Sequence, residues 1–450
     1  MMRAQSLLIL YLITTLCSIT MVFGDDPPPK ASLEKYEISA WGWLTYGRIE
    51  GSYYDYSRHG YYNHEKEWLY NTEIGYLFKR NFSERSWGKL HVNHALFYPV
   101  KPKTAREFKG LNKSIKTRLL DASIYLNFFQ NNILSADMRI GYFSYKYNTQ
   151  AMNLGEYLFR SLPYPQYLTS GFEIADKVKI PGAKFGMNIG KSLRQDIFIR
   201  SETEMPPLYD FSFAYLINYT PCTLIDISAG IDLYRIISVD KGKTTPSKDT
   251  VAFNSDIYAD KIFTHYMDET DSVPATFAGT KIMGRMTIDP KFFFSHPAFG
   301  KEDLKIYTET IMLGLKNYPS WHEEPLHRIP IMVGFNIPSF KILDIFSFEV
   351  EYFASPYANS TRDIWDSRTP LPDIGPNKPE SKDYDTYANK RIDNWKWSLY
   401  SSKKIGKYLR FSAQIANDHT PRTGLTISPN EDITQVPGDW YWMFRVMYYI

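Results

Sequence analysis

The chain has 450 residues with 52 basic and 49 acidic side chains, a formal charge of +3, and so balanced a charge argues against a nucleic-acid partner. Only Cys17 and Cys222 are present, which excludes a disulfide scaffold and a cysteine-rich zinc site. Aromatic residues reach 16%, with 35 Tyr, although the mean hydropathy is only −0.36. Tyrosine is a ring with an apolar body and a polar tip, suited to a boundary between oil and water.

Residues 1–24 read as a secretory signal peptide. Arg3 precedes an uncharged apolar run from Leu7 to Val22, and Val22-Phe23-Gly24 fits a cut after Gly24. The competing reading is a retained membrane anchor. Cleavage would remove Arg3 and leave Cys222 as the single cysteine. Residues 25–34 open with Asp25-Asp-Pro-Pro-Pro-Lys30 and read as a short extended periplasmic tail. Beyond them no uncharged apolar stretch reaches the roughly 18 residues of a membrane helix. A soluble exported protein and a membrane-spanning β-barrel both remain, since hydropathy scans miss barrels.

From residue 35 onward the period is two. Leu120, Ala122, Ile124, Leu126 and Phe128 alternate with Asp121, Ser123 and Asn127. Tyr209, Phe211, Phe213, Tyr215, Ile217 and Tyr219 form one face of another run, and Ile225, Ile227, Ala229, Ile231 and Leu233 one face of the next. Leu409, Phe411, Ala413 and Ile415 do the same later in the chain. Successive strand side chains point to opposite faces, so each run has one apolar and one polar side. Many runs reach the roughly 9–11 residues that a tilted strand needs to cross a bilayer.

The alternation predicts about sixteen strands in chain order: 35–48, 66–79, 88–99, 117–129, 133–147, 183–191, 194–204, 208–220, 223–236, 280–293, 303–317, 328–338, 343–354, 392–402, 407–417 and 439–450. In 303–317, Ile306 and Met312 compete with Tyr307, Ile311, Leu313 and Leu315 for the outward face, which predicts a bulge. The predicted connections then sort by side. The segments 49–65, 100–116, 148–182, 205–207, 237–279, 318–327, 355–391 and 418–438 fall at one end. The segments 80–87, 130–132, 192–193, 221–222, 294–302, 339–342 and 403–406 fall at the other, with both chain ends, and every connection longer than about nine residues lies at the first end. The expected fold is an all-β, transmembrane, antiparallel up-and-down barrel over residues 35–450, with long outer loops and short periplasmic turns.

The last segment, Asp439-Trp-Tyr-Trp-Met-Phe-Arg-Val-Met-Tyr-Tyr-Ile450, is apolar at Trp440, Trp442, Phe444, Val446, Tyr448 and Ile450. It resembles the C-terminal strand that the barrel assembly machinery reads in bacterial outer-membrane proteins, although that pattern usually ends in Phe or Trp. With the strand count, the chain resembles an outer-membrane porin of Gram-negative bacteria. The resemblance implies a water-filled diffusion channel for small hydrophilic solutes or ions, without enzymatic activity, set in outer-membrane lipid and commonly a homotrimer. A surface receptor, an adhesin or a structural barrel with a closed lumen is the alternative, and a barrel-resident enzyme a further one.

Two sets of functional residues follow. In porins the third outer loop folds inward and narrows the pore. Here 148–182 would place Glu156, Tyr157, Arg160 and Tyr164 at a constriction, with Leu154, Tyr157, Leu158 and Ser161 on one face of a short helix and Glu156 paired with Arg160. An ordinary surface loop is the other reading. The polar faces would line the lumen with Glu73, Asp121, Asp137, Asp226, Asp232, Glu349 and Glu351 against Arg139, Arg200, Arg285, Lys396, Arg410 and Arg445. Acids slightly outnumber bases in that set, which predicts a weak preference for cations.

No catalytic, cofactor or metal motif emerges. His91 and His94, three apart on a strand, point to opposite faces and cannot share a metal. His322 and His327 sit in an outer loop, where solvated residues are the simpler reading. Tyr53, Tyr54, Tyr56, Tyr61 and Tyr62 crowd the first outer loop and read as belt residues at the rim, with sugar stacking as the alternative.

Overall fold

The computed structural model describes residues 36–51, 66, 68–97, 114–131, 133–159, 178–203, 209–237, 262–266, 272–276, 278–294, 296–315, 324–353, 395–418 and 438–450. The signal and tail segments, the first-loop tyrosines, Arg160, Ser161, Tyr164 and His322 lie outside the described residues.

The strands are β1 (Tyr36–Gly51), β2 (Trp68–Ser83), β3 (Ser86–Phe97), β4 (Ser114–Gln130), β5 (Leu134–Ser144) and β6 (Lys179–Ile189). They continue as β7 (Leu193–Ser201), β8 (Phe211–Cys222), β9 (Ile225–Ile237), β10 (Ile262–Tyr266), β11 (Ser272–Thr276) and β12 (Gly279–Ile288). The last are β13 (Ile306–Met312), β14 (Ile331–Asn336), β15 (Ile345–Tyr352), β16 (Trp395–Ile405), β17 (Leu409–Asn417) and β18 (Trp440–Tyr449). All except β10 and β11 pair with their neighbours into one closed sixteen-stranded antiparallel barrel. Closure joins the two ends of the chain: Leu44 faces Val446 across the β1–β18 seam, and Ile450 N–H donates to the Ala40 carbonyl at 2.7 Å. Each barrel strand overlaps one predicted from the alternation. The β10–β11 hairpin was not predicted and lies within the connection between β9 and β12.

The lipid-type and water-type faces are inverted relative to a soluble protein. Ile38, Ile74, Phe78, Leu90, Ile124, Ile140, Ile199, Ile227, Val333 and Phe444 are all exposed, while Glu73, Asp121, Arg200, Asp232, Lys281 and Glu349 are buried. An apolar surface of that extent is stable only against an apolar solvent. Aromatic side chains collect near both ends of it. Tyr46 stacks on Trp68 with centroids 5.1 Å apart and meets Trp442 edge-on, near the long-loop end. Tyr408 and Tyr448 adjoin at the turn end. Rings at those heights suit the headgroup region on either side of a bilayer.

Two expectations are corrected. The connection 289–305, between β12 and β13, is a long one at the short-turn end. Pro290 cannot donate to a ladder, and a 3-10 turn at Pro290–Phe292, capped by the Asp289 carboxylate on Lys291 N–H, ends β12 early. Asp303 then ties this connection to the next turn, accepting from Gly300 N–H at 2.8 Å, Phe340 N–H at 3.2 Å and Ser339 Oγ at 3.1 Å. The second concerns β13, which keeps unbroken register with both neighbours and has no bulge. Tyr307, Ile311 and Leu313 face inward and are buried, while Ile306 faces out. The physical reason is an apolar cluster inside the barrel.

Candidate functional site: the inward face and the loop folded onto it

After β5 the chain turns inward instead of continuing outward as a surface loop. Tyr147, Ala151, Leu154, Tyr157, Leu158 and Phe159 are buried in one cluster with Tyr307 and Ile311 of β13, Leu313 just after it and Met332 of β14. The loop therefore crosses the lumen from β5 to the opposite wall. This explains why β13 carries apolar residues on both faces: one face meets lipid and the other meets the loop.

Two wall carboxylates anchor it. Glu309 of β13 accepts from Tyr157 N–H at 2.9 Å, Glu156 N–H at 3.0 Å, the Tyr147 hydroxyl at 2.5 Å and Asn148 Nδ2 at 2.9 Å. Glu349 of β15 accepts from Met152, Asn153 and Leu154 N–H at 2.5, 2.8 and 2.9 Å, and from the Tyr307 hydroxyl at 2.9 Å. The Tyr157 hydroxyl donates to Glu351 at 2.6 Å. Successive N–H groups curled around an anion are a concave nest, and such charge-assisted bonds are short and strong.

The predicted helix at Asn153–Ser161 does not form over its described part, 153–159. Gly155 (φ +85°) and Glu156 (φ +59°) both adopt left-handed backbone, which ends any right-handed helical turn and aims the flanking N–H groups at the two carboxylates. Glu156 is fully buried and its Oε1 accepts from Asn148 N–H at 2.5 Å. Burial, then the neighbouring Glu309 charge, pushes its carboxyl up to about 8, against the pull of Lys146, the Asn148 N–H and Arg285. Its Oε2 is buried without a hydrogen-bond partner among the described residues, as suits a carboxyl that holds its proton.

The other walls carry ion pairs in ranks. Arg118 meets Glu73 at 2.7 Å. Arg139 at 2.6 Å and Lys89 at 3.3 Å share one oxygen of Asp121. Lys184 and Arg194 bridge Asp137 and Asp196, with Lys184–Asp137 at 2.7 Å and Arg194–Asp196 at 2.8 Å. Arg200 meets Asp232 at 2.5 Å and Arg285 meets Asp226 at 3.3 Å. Aromatic rings stand among them. Trp41 and Trp43 stack at 4.3 Å, the Trp41 indole N–H donates to His91 at 2.7 Å, and the Arg445 guanidinium lies 4.2 Å above Trp43. Trp41 lies flat over Gly75, where any Cβ would be 2.1 Å from the indole.

Glu73, Asp121, Asp137, Arg139, Arg200, Asp226, Asp232, Arg285, Glu349, Glu351, Lys396, Arg410 and Arg445 all take the inward alternation of their strands, with Lys396 opposite Glu351 in register. Trp440, Trp442, Phe444, Val446, Tyr448 and Ile450 share the outward face of β18. Sequence reasoning missed Glu309, Tyr147, Lys89, Arg118, Lys184, Arg194 and Asp196. Glu309 left one trace, as the acid between Tyr307 and Ile311 on an otherwise apolar face of its strand. His91 faces Trp41 inside while His94 faces Tyr76 and Thr117 outside. Among the described residues no group of three or more His, Cys, Asp or Glu could hold a metal.

The class that this architecture defines is a closed sixteen-stranded, porin-like β-barrel with charged inward faces. A double mutant of the Rh. blastica porin superposes with a TM-score of 0.43 at 5% identity, over 92% of this chain and all of that one. Salmonella typhi OmpF in complex with daunomycin superposes with a TM-score of 0.44 at 6% identity, over 93% of this chain and 98% of that one. No protein-family model and no curated relative matches the chain by sequence.

Proposed function

We propose that the protein is an outer-membrane channel through which small hydrophilic solutes or ions diffuse, exported by the segment 1–24 and assembled through its β18 signal. The carrying observation is that inward cations of β4 and β7 stay partly open to water: the Arg118 and Arg194 side chains are 43% and 35% exposed. A lumen closed by packing would have covered them. The loop 145–159 spans the lumen from β5 to the wall of β13 and β15 and narrows the path, with Glu156 and Tyr157 at its anchored edge and Arg160 and Tyr164 continuing the segment. No covalent step is needed. The wall supplies a hydrated path through lipid, and its charges bias what enters. Assembly as a homotrimer in outer-membrane lipid belongs to the same reading.

The test is reconstitution in a planar bilayer. Refolded protein should give discrete conductance steps, and deletion of 153–168 should enlarge them. Absence of steps would sink the channel reading, while steps unchanged by the deletion would place the loop outside the conducting path.

A further inference from the structure

We propose that this channel prefers anions, and that the cation heads of Lys89, Arg118, Arg139 and Arg194 on the β3–β7 wall form its selective face. The inference rests on the channel reading above and goes beyond it by naming the solute class, small inorganic or organic anions.

Depth of the charges decides the preference. Counting charges predicts a slight cation preference, but a permeating ion responds most to the charges it approaches closely, since Coulomb energy falls with distance and water screens the remainder. At Asp121, Glu73 and Asp196 on this wall the acid recedes and a base partner stands more exposed. The Asp121 side chain is 2% exposed, whereas those of its partners Lys89 and Arg139 are 27% and 18% exposed. The Glu73 side chain is 5% exposed against 43% for Arg118, and Asp196 3% against 35% for Arg194.

Each receded acid is also clothed in donors. Asp121 accepts from Ser123 Oγ at 2.6 Å besides its two cations. Asp196 accepts from the Tyr145 hydroxyl at 2.8 Å as well as from Arg194 and Lys184. Glu73 accepts from Asn71 and Asn93. Two cations over the single Asp121 leave a local surplus of positive charge. Other pairs run the other way: the Asp226 side chain is 28% exposed and that of Arg285 4%, Glu37 59% against 33% for Lys79, and Asp137 and Lys184 are about equally covered at 9% and 7%. Across the lumen, Glu309 and Glu349 lie beneath the loop with four donors each, so that wall offers little bare negative charge to balance the cations.

The experiment measures reversal potential across a KCl gradient in planar bilayers. Wild type should show a chloride-to-potassium permeability ratio above one. Lys89→Gln with Arg139→Gln should lower that ratio by up to about fivefold, the scale of a unit charge met at contact distance in water. Asp121→Asn should shift it the opposite way, so a folding defect in the first variant does not leave the idea untouched. Conductance steps with a ratio of one or below in wild type would overturn the anion preference and leave the channel standing. No movement of the ratio in either variant would remove this wall from selectivity. A chain without steps would overturn the channel reading and this inference with it.

Discussion

Glu309 takes two backbone N–H groups, a phenol and an amide from a segment about 150 residues earlier in the chain. Such a residue is costly to remove, because each buried donor left without a partner costs about 1–3 kcal/mol. Glu309→Ala is therefore expected to weaken docking of the loop by about 3 kcal/mol or more, and Glu309→Gln by less, because the amide keeps one acceptor oxygen. The readout is hydrogen exchange at the Glu156 and Tyr157 amides, which should lose protection in the order wild type, Gln, Ala. Equal protection in all three would mean that the apolar cluster alone holds the loop. The local trace in the sequence, an acid between two inward apolar residues, does not by itself mark Glu309 for this role. What marks it is an arrangement of strands that only the closed barrel creates.

The loop as an element carries its own pH response. Glu156 is held protonated up to about 8 in the docked loop and has an ordinary carboxylate value when undocked. Between the ordinary carboxylate range and about 8 the docked state therefore binds more protons than the undocked one. Docking is then strongest below that interval, weakens steadily as pH rises through it, and levels off above about 8. The groups that set this response are Glu309, Lys146, Arg285 and the Asn148 N–H. Glu156→Gln cannot ionise, so it should hold the loop equally at pH 6 and pH 9, after correction for intrinsic exchange, while wild type loses protection at the higher pH. A wild type as pH-insensitive as the variant would contradict the assignment. The same element shows where helical spacing misleads. Leu154, Tyr157 and Leu158 do share a buried cluster, but through left-handed backbone at Gly155 and Glu156 and not through a helix.

At the scale of the whole molecule, parity of the strands fixes orientation. Both β1 and β18 begin and end the circuit at the short-turn end, where Cys222 is exposed. The connection 353–394, which includes Ser360, leaves from the opposite end. In intact cells, Ser360→Cys should react with a membrane-impermeant thiol reagent and Cys222 should not. The reverse pattern would invert the barrel in its membrane. The long connection 289–305 does not alter this parity, since it joins neighbouring strands at the turn end as a short turn would.

The sequence by itself determined the strand number, the outward face of nearly every strand and the shared side of the two ends. The reason is local: side chains alternate at a period of two whatever the neighbours are, and lipid selects one phase of that alternation. Phe211 and Tyr219 illustrate it, as do Trp440 and Phe444, all exposed on the outside. Only the tertiary structure decided which face of β13 looks inward, because Tyr307 and Ile311 take their meaning from a loop that arrives from β5. Depth was decided there too. A sequence lists Asp121 and Arg139 as equal and opposite charges, but the closed wall leaves the Asp121 side chain 2% exposed and that of Arg139 18% exposed. Charge order along the chain is a local property, whereas distance from the water path depends on every strand in the ring.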